Sequence, residues 1–286
     1  MLNLGNPDAR EWITQIIIGY LKSEKIDHYR QDFNMNPLPF WTENDAPDRI
    51  GVHEMRHIEG LYLFWDALRR EFPDLFIDNC ASGGRRLDFI LADYGYPLCQ
   101  SDYATFGAYR STCMQLENYF LDDVYPLHVG QSWLPEGDLY AALSCTGTGI
   151  GSKVWQFNGR FPDSGHDFNL HRKTLSLIAR IRDYKIAGDY YPLTQHAEEL
   201  ENWCAYQVHL PETGEGCVVY FRRRESPAAT QLLRLHRIVP ERTYRLEFSD
   251  GRNREFSGDA LAGLTVELAE PRSVGIIFYR MKRDAK

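Results

Sequence analysis

Two aspartates stand where predicted β-strands end. Asp32 closes the strand predicted over residues 29–32, and Asp102 follows the strand predicted over residues 98–101. In a barrel of parallel strands, side chains at the carboxyl ends of the strands line the catalytic mouth. A pair of carboxylates there can hydrolyse a glycoside, one acting as nucleophile or base and the other as proton donor. An aspartate at a strand end is also a common cap for the following helix, so position alone leaves both interpretations open.

A glycine-bearing turn follows another predicted strand, over residues 75–79. Its sequence is Cys80-Ala81-Ser82-Gly83-Gly84-Arg85-Arg86-Leu87-Asp88. Consecutive glycines let the backbone approach a ligand closely and let the flanking N–H groups point at it. The GxxxxGK[ST] pattern of a phosphate-binding loop is absent. A ligand-facing turn and a purely structural turn remain alternatives.

The segment His53-Glu54-Met55-Arg56-His57 has the H-E-x-x-H pattern of zinc peptidases. In those enzymes two histidines one helical turn apart bind the metal, and the glutamate is the base. Arg56 places a positive charge inside the motif, and the acids that follow, Asp74 and Asp78, belong to the next predicted strand. We therefore expect a transition from loop to helix here, with a zinc peptidase as the weaker alternative.

The elements that must position these residues alternate along the first two-thirds of the chain. Helices are predicted over residues 9–25, 58–72, 87–93, 109–121, 139–145 and 169–186. Strands are predicted over residues 2–4, 26–32, 75–79, 97–101, 125–129 and 151–157, with a long loop over 35–51. Strands that alternate with helices predict βαβ units, a parallel sheet and an α/β fold.

The pattern changes after about residue 193. Short alternating segments are predicted as strands over residues 203–210, 216–222, 232–235, 243–248, 264–268 and 273–279. Turn residues such as Asp250-Gly251 separate them, which is typical of an antiparallel β-sandwich. The predicted organisation is a partial (β/α) barrel catalytic domain over residues 1–193 and a C-terminal β-sandwich domain over residues 194–286.

Composition excludes several classes of protein. The 286 residues carry 32 basic and 40 acidic side chains, a net charge of −8, whereas a nucleic-acid binder needs a basic face. No segment approaches the roughly 18 consecutive apolar residues of a membrane span. The first residues show neither the basic nor the apolar region of a signal peptide, and the six cysteines form no CxxC pair. These features favour a cytoplasmic protein with reduced thiols.

A series of motifs, in order along nearly the whole chain, resembles the family-36 α-galactosidases, the melibiases. The motifs are Leu2-Asn3-Leu4-Gly5-Asn6-Pro7, Tyr29-Arg30-Gln31-Asp32-Phe33-Asn34, Cys80-Ala81-Ser82-Gly83-Gly84-Arg85-Arg86-Leu87-Asp88, Ser101-Asp102, Asp183-Tyr184-Lys185, Gly188-Asp189-Tyr190-Tyr191 and Ser257-Gly258-Asp259-Ala260-Leu261.

The resemblance implies a retaining α-glycosidase on a (β/α)8 TIM-type barrel followed by a C-terminal antiparallel β-sandwich. It implies that Asp32 is the nucleophile and Asp102 the acid/base, acting on terminal α-galactosides without a metal or organic cofactor. Sugar binding is assigned by the same resemblance to Arg30, Asn34, Cys80, Gly83 and Ser101. Asn34 would bind near the sugar 2-hydroxyl, and Cys80 and Gly83 would line the subsite around the same ring.

Two departures from the family pattern bear on specificity. The family commonly has Lys-Trp-Asp at the nucleophile, whereas this chain has Arg30-Gln31-Asp32, and a planar guanidinium is not equivalent to an ammonium. Tyr103 follows the acid/base where many relatives carry asparagine. Galactose and N-acetylgalactosamine both stay open as the sugar.

A third departure concerns the extent of the barrel. In the family the nucleophile follows the fourth barrel strand, and Leu2-Asn3-Leu4 is similar to the third. The first two strands and a large N-terminal β-domain are therefore expected to be missing. The expected partners are an α-galactoside substrate and either a second copy of this chain or the missing N-terminal domain, with neither nucleic acid nor membrane. The alternative to an enzyme is a non-catalytic fragment, or a half-enzyme that needs a separate N-terminal part.

Overall fold

A computed structural model describes residues 1–95, 101–102, 111–125, 128–133, 139–153, 167–195 and 199–282. The chain divides into two compact units, Met1–Pro97 and Leu98–Lys286, and each is described by itself. Most of the strand predicted over residues 97–101 lies outside the described residues. Tyr103 and residues 154–157, the last part of the strand predicted over residues 151–157, also lie outside them.

The first unit is built from helices around a short parallel sheet. Its elements are α1 (Pro7–Ser23), β1 (His28–Asp32), α2 (Leu38–Thr42), α3 (Val52–Glu71), β2 (Phe76–Cys80) and α4 (Phe89–Tyr94). β1 and β2 pair in parallel, with Arg30 opposite Asp78 and Asp32 opposite Cys80. The parallel pair joined by a helix confirms the predicted βαβ unit.

The core of the first unit lies between the helices and one face of this sheet. Leu61, Trp65 and Leu68 of α3 are buried there together with Ile77 of β2. Residues two apart in a strand point to the same face, so burying Ile77 against α3 leaves Asp78 and Cys80 on the opposite face of β2. The hydrophobic pattern of α3 thus decides which side chains of the sheet are available for a site.

Three sequence predictions in this unit were wrong in detail. The long loop predicted over residues 35–51 contains helix α2. Residues 2–4 are not a strand: the Asn3 side chain accepts the Gly5 N–H at 3.0 Å, and the Asn6 N–H bonds the Asn3 carbonyl at 3.1 Å. These local hydrogen bonds form a turn that leads into α1. Helix α3 begins six residues before the predicted start, so the H-E-x-x-H segment is helical and not a transition from loop to helix.

The second unit combines helices, a short parallel strand pair and antiparallel sheets. Its helices are α5 (Ser111–Val124), α6 (Leu139–Ser144), α7 (Phe168–Ala187) and α8 (Gly258–Ala262). Its strands are β3 (Val129–Trp133), β4 (Gly149–Lys153), β5 (Asp189–Pro192), β6 (Cys204–Leu210), β7 (Glu215–Arg222), β8 (Thr230–Arg234), β9 (Thr243–Phe248), β10 (Asn253–Ser257), β11 (Gly263–Glu267) and β12 (Ser273–Met281). β3 pairs in parallel with β4, and β8 pairs antiparallel with β11.

A six-stranded antiparallel sheet, in the order β10-β9-β12-β7-β6-β5, organises this unit. One face packs Tyr206 and Val219 against Ile178 and Ile181 of α7. The other face packs alternate residues, such as Val218 and Ile277, against the pair β8 and β11. Neighbouring strands in this sheet all run antiparallel, which confirms the antiparallel sheets predicted for the C-terminal part. The domain boundary at residue 193 stays a prediction.

Among the described residues, none of the helices is both long and apolar enough to cross a membrane. In the same part of the chain Cys80, Cys113, Cys145, Cys204 and Cys217 are free thiols. Cys99 lies outside the described residues.

Candidate active site

Four polar side chains project from one face of the β1–β2 pair. They are Arg30 and Asp32 of β1 and, opposite them, Asp78 and Cys80 of β2. Parallel strands held in this register bring residues two apart on each strand into one group. The sequence-predicted residues Arg30, Asp32 and Cys80 therefore lie together, at the carboxyl end of both strands.

The Asp32 carboxylate accepts hydrogen bonds from three neighbours. The side chains of Asn34 and Cys80 and the backbone N–H of Ser82 donate to it, the last over 3.5 Å to Oδ1. Desolvation by the surroundings raises the pKa of Asp32, but these donors and the nearby Arg30 charge outweigh it and hold the pKa below its ordinary value. Asp32 does not cap the following helix α2, whose N-cap is Pro37.

The turn after β2 takes up a backbone conformation that few residues adopt. Ser82 has a φ of 52° and Gly83 a φ of 82°, and the Ala81 N–H bonds the Gly83 carbonyl at 2.9 Å. In this conformation the N–H and hydroxyl of Ser82 both donate to Asn34 Oδ1, at 3.0 and 2.9 Å. Only glycine adopts such φ values without steric cost, which explains Gly83. The turn faces the Asp32 side of the sheet and fixes Asn34.

Cys80 serves this group as a thiol. Its side chain is 2% exposed, and burial raises its pKa, with the hydrogen bond to Asp32 and the Asp32 charge adding to the increase. A protonated thiol can donate to a carboxylate, whereas a thiolate would repel it.

Arg30 contacts both acids on this face. Its Nη1 donates to Asp78 Oδ2, and its Nη2 lies 3.6 Å from Asp32 Oδ2. The Asp78 side chain is 1% exposed, whereas those of Arg30 and Asp32 are 41% and 35% exposed. A single guanidinium therefore joins a buried carboxylate to the exposed candidate nucleophile.

Gln31, which stands where the family commonly has tryptophan, points to the opposite face. Its Oε1 accepts the Trp65 indole N–H at 3.0 Å and the Tyr29 hydroxyl at 3.3 Å. Gln31 therefore anchors β1 to α3, away from the four-residue group.

A cavity of about 460 Å³ adjoins the same loops. Phe33 and Ala81, the residues next to Asp32 and Cys80, line it together with Trp41, Tyr62 and Arg86. Arg86 places its guanidinium 3.7 Å from the centre of the Phe33 ring, a cation–π contact. The volume is in the range of small-molecule sites in proteins.

The second unit holds the other predicted site residues, Ser101 and Asp102. Asp102 is half-buried, and Ser101 is 9% exposed. The Ser101 side chain hydrogen-bonds the Glu117 carboxylate of α5. Burial raises the pKa of Glu117, and the hydrogen bond from Ser101 reduces this increase. The roles of Ser101 and Asp102 stay predictions.

The H-E-x-x-H segment lies on the first two turns of α3, but its histidines have other surroundings. His53 Nδ1 lies 2.7 Å from Asp45 Oδ1. His57 is 3% exposed and packs against the Trp41 and Phe33 rings. Within the described ranges no group of three His, Cys, Asp or Glu side chains could hold a metal ion. The geometry therefore gives no support to the zinc-peptidase alternative.

Sequence reasoning missed two residues of the site, Asp78 in the four-residue group and Ser82 in the turn that follows β2. Asp78 was set aside as part of a strand, and Ser82 was treated only as part of the glycine-bearing turn. Asp78 precedes Cys80 by two residues, as Arg30 precedes Asp32. This shared spacing is a signal that Arg30 and Asp78, which carry opposite charges, could pair once the two strands are placed side by side. No sequence signal marks the left-handed conformation of Ser82.

Comparison of sequences finds similarity to α-galactosidases. The Melibiase family model matches residues 1–109. The chain is 31% identical over 282 residues to the α-galactosidase Mel36A of Lactobacillus acidophilus, covering 92% of this chain and 36% of that protein. It is 26% identical to the probable α-galactosidase C of Aspergillus flavus, covering 93% of this chain and 34% of the relative. The chain thus spans about a third of the length of the curated relatives it matches.

Solved structures agree on the fold. The GH36 α-galactosidase AgaB of Geobacillus stearothermophilus superposes with a TM-score of 0.76 at 19% identity, covering 98% of this chain and 39% of that one. The α-galactosidase of Lactobacillus brevis gives the same TM-score at 16% identity, covering 99% of this chain and 39% of the other. At these identities the likeness establishes the fold alone.

Proposed function

We propose that the chain carries the two catalytic carboxylates of a retaining α-galactosidase. The match of the Melibiase family model to residues 1–109 and the likeness of nearly the whole chain to the fold of family-36 α-galactosidases support this proposal. Asp32 is the nucleophile and Asp102 the acid/base. The observation that carries the proposal is the surroundings of Asp32: three hydrogen-bond donors and a guanidinium around a carboxylate at the end of a parallel strand.

The proposed reaction proceeds in two displacements. An Asp32 oxygen attacks the anomeric carbon while Asp102 gives its proton to the departing glycosidic oxygen, so the glycosidic bond breaks as a glycosyl ester forms. A water molecule then gives a proton to Asp102 and attacks the same carbon, which releases Asp32 and the sugar. The lowered pKa of Asp32 supports the first step, because the attacking carboxylate must be ionised near neutral pH.

The neighbours of Asp32 have complementary proposed roles. Asn34, held by both donors of Ser82, keeps one oxygen of Asp32 oriented and borders the sugar near its 2-hydroxyl. Cys80 and Gly83 line the same subsite, with Arg30 and Ser101 as further sugar-binding residues. Galactose is the sugar we propose, with N-acetylgalactosamine as the alternative, since Arg30 replaces the usual lysine.

We further propose that residues 1–193 form part of a (β/α)8 barrel and residues 194–286 a β-sandwich. The parallel pairs β1–β2 and β3–β4 support the first assignment, and the antiparallel six-stranded sheet supports the second. The likeness to the Geobacillus and Lactobacillus enzymes supports both.

A second candidate is a half-enzyme that needs a separate N-terminal part. It is favoured by the coverage of Mel36A, of which this chain spans 36%. Turnover of p-nitrophenyl α-galactoside by the 286-residue chain alone supports a self-sufficient enzyme. Turnover only after a separately supplied N-terminal part is added supports the half-enzyme. Family-like sequence in frame in the DNA upstream of Met1 would point the same way.

Substitution of the two carboxylates tests the proposed roles. In the assembly that turns over substrate, Asp32→Asn and Asp102→Asn are each expected to lower kcat by more than about 100-fold. The first removes the nucleophile, and the second removes general acid–base catalysis, which alone contributes about 10²–10⁴-fold. Asp74→Asn, a change at an exposed aspartate before β2, is the matched control and should retain full turnover. Near-normal turnover by Asp32→Asn would contradict the proposal.

A further inference from the structure

Asp78 is a buried carboxylate whose position serves more than packing. Its side chain is 1% exposed, and its Oδ2 accepts Nη1 of Arg30. Burying a carboxylate costs free energy unless the group is paired and hydrogen-bonded. The folded chain is therefore more stable when Arg30 stays bound to Asp78. That partner belongs to the same face of the sheet as Asp32.

The guanidinium carries this constraint to Asp32. Its nitrogens form a rigid planar fork, so binding Nη1 to Asp78 also sets where Nη2 lies. Nη2 is 3.6 Å from Asp32 Oδ2. The Arg30 side chain is 41% exposed. Holding a long exposed side chain in one place costs conformational entropy, so a stable position requires a partner that offsets this cost. Asp78 supplies the fixed partner.

We propose that Asp78 is a positioning residue, which holds Arg30 beside the Asp32 carboxylate so that the guanidinium charge stabilises and orients that carboxylate. This inference deepens the proposed function, since it rests on Asp32 being the nucleophile. It also gives the Arg30 departure a physical meaning: a lysine ammonium is a point charge and cannot present two rigidly linked donors to two carboxylates.

The test follows the titration of the Asp32 carboxyl carbon by NMR in the full 286-residue chain, without substrate. In Asp78→Asn the fork loses its charged anchor, Arg30 turns toward solvent, and the Asp32 titration midpoint rises. Asp74→Asn removes an exposed carboxylate and should leave the midpoint where it is in the unsubstituted chain. An unchanged or lower midpoint in folded Asp78→Asn overturns the proposal.

A second variant covers the case in which Asp78→Asn does not fold. Arg30→Lys keeps a positive charge for Asp78 but removes the fork, so the Asp32 midpoint should again rise. In Arg30→Gln, adding Asp78→Asn should produce no further change, because Asp78 acts only through Arg30. A normal midpoint in Arg30→Lys, or an additional rise in the double variant, overturns the proposal.

Kinetics separate this inference from the proposed function. In the assembly that hydrolyses p-nitrophenyl α-galactoside, Asp78→Asn should move the acid limb of the kcat/KM profile to higher pH and lower kcat/KM by roughly tenfold. A merely structural role would lower the amount of folded protein and leave the acid limb in place. Absence of turnover in every assembly counts against the proposed function, while the titration still decides the role of Asp78.

Discussion

Arg30, Asp32, Asp78 and Cys80 owe their grouping to strand geometry. Side chains two apart share a face, and the parallel register places each residue of β1 opposite its partner in β2. On the opposite face, Tyr29 and Ile77 pack into the core of the first unit together with residues of α3. A change at any of the four should therefore act on the site more than on the core.

His57 is a buried histidine that carries no charge near neutral pH. Burial, together with the nearby Arg86 charge, lowers its pKa from 6.5 to about 4. Its Nδ1 has no hydrogen-bond partner among the described residues. The folded chain therefore keeps His57 neutral at pH values where the unfolded chain protonates it.

This difference predicts a pH dependence of stability. Between about pH 6.5 and pH 4 the unfolded chain binds a proton that the folded chain does not, so the free energy of unfolding decreases as the pH falls through that window. The contribution amounts to about 3 kcal/mol at the acid end. His57→Phe keeps a ring against Trp41 and removes the proton. Urea unfolding at pH 7 and pH 4 should show a smaller loss in His57→Phe, and equal losses in both proteins would contradict the assignment.

At the scale of elements, α1 and α3 depend on a close backbone approach. A Cβ on Gly60 of α3 would lie 2.1 Å from the Leu4 carbonyl oxygen, closer than any real contact. The absence of a side chain at Gly60 therefore lets the turn before α1 pack directly against the backbone of α3. Gly19 of α1, by contrast, has open space around it, and a Cβ there would meet nothing within 4 Å.

These two glycines give a matched pair of substitutions. Gly60→Ala should destabilise the chain by about 1–3 kcal/mol, because backbone must shift to admit the methyl group. Gly19→Ala should stabilise it by about 0.5–1 kcal/mol, because alanine loses less entropy in a helix. Chemical unfolding measures both, and a neutral or stabilising Gly60→Ala would contradict the described approach of Leu4 to α3.

The sequence predicted elements where apolar periodicity is strong and missed those that rest on other forces. β1 and β2 lie close to their predicted positions: β1 alternates exposed with half-buried residues, and four of the five residues of β2 are buried. The start of α3 was missed because its first turns are polar. Asp45, well before the helix, accepts the backbone N–H groups of Gly51 and His53 at 2.6 and 3.0 Å, and no local pattern shows this.

Strands without a buried apolar face were missed for the same reason. β10 (Asn253–Ser257) is almost wholly exposed at the edge of the six-stranded sheet, and its backbone pairing with β9 is what makes it a strand. The short β5 contains polar and aromatic residues and ends at Pro192. In the site, Asp32, Asn34 and Cys80 could be predicted from motifs, whereas Asp78 required knowledge of the strand register.

At the scale of the whole molecule, a buried ionic group ties helices of the second unit together. Lys185 of α7 donates to Asp122 Oδ2 of α5 at 2.6 Å and to the Thr146 carbonyl at 3.1 Å. His128 Nε2 lies 3.1 Å from the other oxygen of Asp122. Burial raises the pKa of Asp122, but the Lys185 and His128 neighbours outweigh it and lower the pKa overall. Removing one member would leave a buried charge without compensation.

Lys185→Met should therefore destabilise the protein by about 3–5 kcal/mol, the range found for breaking a buried ion pair. Lys22→Met, at an exposed lysine paired with Glu71, is the matched control and should cost about 1 kcal/mol or less. Unfolding in urea measures both. Equal effects of the two substitutions would show that burial of the Lys185 pair is not what stabilises this unit.

The central claim is that Asp32 is the nucleophile of a retaining glycosidase. The most direct measurement is incubation of the catalytically competent assembly with a trapping fluorinated α-galactoside, followed by peptide mass spectrometry. The expected result is one fluorosugar attached through an ester to Asp32, and no label in Asp32→Asn. A label on any other residue of this chain would contradict the claim.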